Sequence, residues 1–138
     1  MKTMASFQIK AIRGDFEKFA TRVVQKVVLS VNGELIKTTP VDTGWARSNW
    51  IPNIGHPYAK PAGSRIEAEM GTLDLSPQQK GTANIATKYH LNDGTIYITN
   101  NVYYIKNLND GSSKQAPKAF VQMAIENGIR KVKGIKQA

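Results

Sequence analysis

A chain of 138 residues with a formal net charge of +9, two histidines and no cysteine has room for one core. It has no material for disulfides or thiolate metal sites. No run approaches the ~18 apolar residues of a membrane span, and no apolar signal segment follows Lys2. Residues 1–38 carry seven Lys/Arg against three acids, residues 39–113 six against six, and residues 114–138 six against one. The excess therefore lies in the terminal segments, where it either attracts polyanions and acidic protein surfaces or serves solubility alone.

In chain order, residues 1–14 read as an N-terminal arm or strand carrying Phe7, Ile9 and Ile12. Gly14-Asp15 offers a helix start with Asp15 as the cap. From Phe16 to about Lys37 the apolar residues Phe16, Phe19, Ala20, Val23, Val24, Val27 and Val31 fall on one helical stripe. Lys18, Arg22, Gln25 and Lys26 cover the other side. Leu29 and Ile36 break the pattern on the polar side, and Glu34 projects into the apolar one. The two aliphatics mark either a partner surface or scattered exposed side chains.

Thr38 to Trp50 forms the corner on which the chain turns. Pro40 cannot continue a helix, Asp42 and Thr43 can bond nearby backbone N–H groups, and Gly44 can take positive φ. Residues 49–55 then predict a short strand that Pro52 bars from a sheet centre. Residues 55–75 form a long loop rich in breakers. Ser76-Pro77 starts a modest helix with Ala83, Ala86 and Tyr89, ending near Leu91, and weakened by Gly81.

Asn92-Asp93-Gly94 turns into a strand at 95–99, with Ile96 and Ile98 on one face and Tyr97 on the other. Residues 102–108 make short helical turns, with Ile105 and Leu108 on one side. Tyr103 and Tyr104 could stack on nucleic-acid bases, although their position beside Ile105 puts at least one in the core. Pro117 opens a last helix with a stripe of Phe120, Val121, Ala124, Ile125 and Ile129. A basic, frayed tail at 130–138 follows, where Arg130, Lys131, Lys133 and Lys136 are candidates for a DNA channel or other polyanion.

No nucleophile elbow, dinucleotide fingerprint or phosphate loop occurs. His56 and His90 lack metal-ligand spacing. Asp42 suits a turn better than general acid–base work, having no second carboxylate or histidine beside it in the pattern. The residues thus predict no catalytic site, no cofactor and no metal.

Two segments resemble a known family. The first is Thr39-Pro40-Val41-Asp42-Thr43-Gly44 followed by Arg47-Ser48. The second is Ile98-Thr99-Asn100-Asn101, then Tyr104-Ile105, then Leu108-Asn109-Asp110-Gly111-Ser112-Ser113-Lys114-Gln115-Ala116-Pro117. Together and in this order they look like the signatures of tail-completion proteins of long-tailed bacteriophages. These are also called neck or head–tail joining proteins, and include minor tail proteins of the lambda protein Z type. Trp45 stands where a polar residue is usual, and Ala119 where glycine is frequent.

The resemblance spans residues 15–130. It implies an α+β fold, with a long N-terminal helix and a C-terminal helix packed on a small, mostly antiparallel sheet. It implies a virion protein, made in the host cytoplasm, that forms a ring, usually of six subunits, between head connector and tail tube, with DNA passing through. Pro40, Asp42, Thr43 and Gly44 then form a structural corner, and Leu29, Ile36, Trp45 and Arg47 are interface candidates. The competing reading is a small basic protein that contacts nucleic acid directly.

Overall fold

The computed structural model describes residues 4–41 and 44–133, with side chains from Lys10 onward. Its order is α1 (Met4–Thr38), α2 (Trp45–Ser48), β1 (Ile51–Ile54), α3 (Arg65–Met70), α4 (Ser76–Thr87), a 3-10 turn (Leu91–Asp93), β2 (Ile96–Thr99), α5 (Ile105–Asn109) and α6 (Phe120–Lys131). The fold is α+β, as expected: a long N-terminal and a C-terminal helix beside a small antiparallel sheet. β1 and β2 pair with Ile51 opposite Thr99 and Ile54 opposite Ile96.

α1 begins at Met4, so the described part of the expected arm is helix, and Asp15 is not a cap. Ala5, Gln8, Lys10, Ala11 and Arg13 favour helix. Gly14 inside it costs about 1 kcal/mol, which does not end a helix that is already propagating. At about 1.5 Å per residue the 35 residues of α1 reach roughly 52 Å. Among the described side chains, the contacts of α1 with the body lie in its C-terminal half. Phe16, expected in the core, is 60% exposed, and Ile12 is 67% exposed.

The first core cluster joins Val31, Leu35, Trp50 and Ala124, with Val27, Ile36, Ile98, Ile105 and Val121 packed around it. Gly128 lets α6 lie against α1: a Cβ there would stand 2.6 Å from the Val31 Cα. Ser30 Oγ donates to the Gly128 carbonyl at 2.8 Å on the same contact. Gly81 does the same for α4, since a Cβ would stand 2.3 Å from the Pro52 carbonyl oxygen of β1. α4 therefore packs through Gly81 and Ile85, whereas Ala83 and Ala86 are exposed. α4 also stops at Thr87, where Gln25 Nε2 donates to the Ile85 carbonyl at 3.0 Å.

Within the expected long loop, residues 65–70 fold as α3. Ser64 Oγ accepts from the Glu67 N–H at 3.2 Å, and Gly71 closes the helix at φ 73°. α6 starts at Phe120 rather than Pro117, because Ala119 sits at φ 64° in the left-handed region. Phe120 and Ala124 are buried as expected, whereas Ile125 and Ile129 face solvent.

Candidate functional site

The corner after α1 is held by side chains that satisfy carbonyls the turn leaves open. Arg47 donates from Nε and Nη2 to the Thr39 carbonyl at 3.3 and 3.0 Å, and from Nη2 to the Lys37 carbonyl at 3.2 Å. A permanent cation thus caps the negative end of α1. Trp50 Nε1 donates to Thr39 Oγ1 at 2.7 Å, and Thr39 Oγ1 donates to the Leu35 carbonyl. Gly44, at φ 82°, turns the chain into α2.

Amide side chains tie the next turn to distant segments. Asn49 and Ala62 exchange two bonds: Asn49 Nδ2 to the Ala62 carbonyl at 3.0 Å, and the Ala62 N–H to Asn49 Oδ1 at 2.6 Å. Gln78 Nε2 donates to the carbonyls of Arg47 and Trp50, at 3.0 and 3.1 Å. Asn100 Nδ2 donates to the Ala46 carbonyl at 2.8 Å. The Val41 N–H donates to Gln115 Oε1 at 3.0 Å, which joins the two family-like segments directly.

Both segments line one cleft of about 480 Å³, between Pro40 and Gly44 on one side and Tyr103, Tyr104, Leu108 and Ser112-Ser113-Lys114 on the other. Trp45 packs edge-on against both tyrosines of this wall, each ring centroid 5.9 Å away. Trp45 and Ala46 belong to a second core cluster with Ala68 and Val102. At the rim Arg65 Nη1 donates to Tyr103 Oη at 2.9 Å, and Arg65 Nε lies 3.3 Å from Glu69. The Tyr103 hydroxyl, followed by the Glu69 carboxylate, raises the Arg65 pKa further above its ordinary value. The cleft offers an aromatic wall, hydroxyls and two cations, which suits recognition of acidic or amide groups.

Several candidates read from the sequence take other roles. Trp45 is buried, donating Nε1 to the Ala62 carbonyl at 3.1 Å, so it is core rather than free interface. Arg47 serves as the helix cap. Ile36 packs in part on the first core cluster, because α1 is enclosed on more than one face. Leu29 is half-buried. Pro40 is buried at the corner, while Asp42 and Thr43 lie outside the described residues.

At the other end Arg130 and Lys131 belong to α6, not to a frayed tail. Lys131 Nζ pairs with the Glu34 carboxylate, which is buried on α1. That hydrogen bond lowers the Glu34 pKa against the opposing effect of burial, and the charges of Lys131 and Lys37 assist it. Lys131 is thus engaged within the fold. Arg130 and Lys133 are exposed, and Lys136 lies outside the described residues.

The sequence reading missed Arg65 and α3. The spacing Ser64-x-x-Glu67 was their available signal, a capping box. Among the described residues no three His, Cys, Asp or Glu side chains group to hold a metal. No described helix is long and apolar enough to cross a membrane. No protein-family model, no curated protein and no solved structure matches the chain.

Proposed function

We propose that the chain is a structural virion protein of a tailed bacteriophage: a tail-completion or neck protein whose ring, of about six copies, joins the tail to the head connector. The observation that carries this reading is the convergence of the two family-like segments on one cleft, tied by the Val41–Gln115 bond. Residues 74 apart in sequence make that bond. The work assigned to the chain is assembly rather than catalysis. Its partners are copies of itself, the connector-side neck proteins and the tail-tube proteins, with genome DNA in the channel. It is made in the host cytoplasm and ends in the virion neck.

In this reading the cleft, with Tyr103 69% exposed and Arg65 at its rim, receives a neighbouring protein. Leu29, half-buried on α1, remains an interface candidate. The exposed Arg130 and Lys133 favour a second reading, direct contact with nucleic acid. Gold-labelled antibody and peptide mass spectrometry on purified particles test the first. Label at the head–tail junction is expected; particles without the chain reject it. Binding of free DNA, with a steep salt slope, would favour the second.

A further inference from the structure

The N-terminal half of α1 carries an apolar line of its own. Ile12, Phe16, Phe19 and Val23 follow at spacings of 4, 3 and 4, and the sequence spacing continues back to Ile9. Alternation of 3 and 4 is the period of a two-helix seam. Further along, the same side of α1 carries Ser30 and Glu34, where α6 covers it with Gly128 and Lys131. Toward the N-terminus Ile12 and Phe16 are open, while Phe19 and Val23 are half-buried. A helix anchored in a folded body meets no nucleation cost in extending outward. Extending it with two large apolar side chains in water leaves a seam to be covered.

The charges beside the line select its occupant. With Phe16 and Val23 at a positions and Ile12 and Phe19 at d, the g edge holds Asp15 and Arg22, and the e edge holds Arg13 and Ala20. An antiparallel second helix of the same sequence, centred between Phe16 and Phe19, sets Phe16 against Phe19 and Ile12 against Val23. Its g edges then face each other, so Asp15 of each copy meets Arg22 of the other, and symmetry makes the pair twice. The e edges put Arg13 opposite Ala20, not opposite a like charge. A parallel pair would instead set Asp15 against Ala20 and Arg22 against Val27, with no ion pair. Arg22 already lies at the seam, its guanidinium 5.6 Å from the Phe19 ring centroid.

We infer that the occupant is a second copy of this chain, and that the free protein pairs through residues 12–23 of α1 in an antiparallel, two-fold arrangement. This goes beyond the neck reading and stands without it, since a ring uses head-to-tail contacts and the pair described here is isologous.

Sedimentation equilibrium of the purified full chain tests it, with circular dichroism to verify that each variant is folded. A dimer is expected at about 100 μM protein. Asp15→Arg or Arg22→Asp alone replaces two attractions by two repulsions and should weaken the dimer about tenfold. The double variant D15R/R22D restores opposite charges across the antiparallel seam and should return the dimer to its original strength. A monomer at about 100 μM overturns the inference. So does a dimer indifferent to the single reversals, or one that the double reversal fails to restore.

Discussion

Ala119 sits at φ 64°, a conformation in which Cβ crowds the backbone. Ala119→Gly should therefore stabilise the protein by about 0.5–1 kcal/mol, the relief of strain exceeding the entropy glycine adds to the unfolded chain. Gly44 is the reverse case. A Cβ at Gly44 would meet nothing within 4 Å, so Gly44→Val should cost about 1–3 kcal/mol through backbone strain alone. Denaturant midpoints at constant slope measure both. The Glu34–Lys131 pair predicts a pH dependence. The folded Glu34 pKa lies below its ordinary 4.5, so the pair's contribution is complete above that value. It is lost as pH falls through the lower folded value. Lys131→Met should lower stability at neutral pH and flatten this acid limb, read by thermal melts from neutral to acid pH.

Between elements, the α1–α6 contact depends on the absence of one side chain. Gly128→Ala forces a methyl group against the Val31 backbone and should cost about 1–3 kcal/mol, visible as a lowered denaturant midpoint. Elements with a clear period were legible in the sequence: the body of α1, β2 with its exposed Tyr97, and the Phe120–Ala124 face of α6. What periodicity does not contain is where the partner of a stripe ends. Phe16 continues the line of Val23 and still lies in solvent, because the body does not extend that far. Leu35 went unread although it is 2% exposed, since α1 is packed on more than one face. Gly14-Asp15 looked like a start because local rules do not register a helix already running. The cleft was half legible: its two walls stood out as sequence segments, while Arg65 came from a short helix hidden among breakers.

At the scale of the whole molecule, the corner is the point through which everything else is oriented. Arg47 closes α1, and Asn49, Gln78, Asn100 and Gln115 bind the turn to four other stretches of chain. Such a hub gives two surfaces fixed positions: the aromatic cleft at one end of α1 and the exposed apolar line at the other. Tyr103 contributes little to the core, so Tyr103→Ala should change stability by no more than about 1 kcal/mol, by denaturant melt, and impair assembly if the cleft receives a neighbour. The neck reading is tested most directly by deleting the chain from a phage that encodes it and viewing the lysate by electron microscopy. It predicts filled heads and separate finished tails, which join into infectious particles when the purified chain is added. Intact, infectious virions formed without the chain would contradict it.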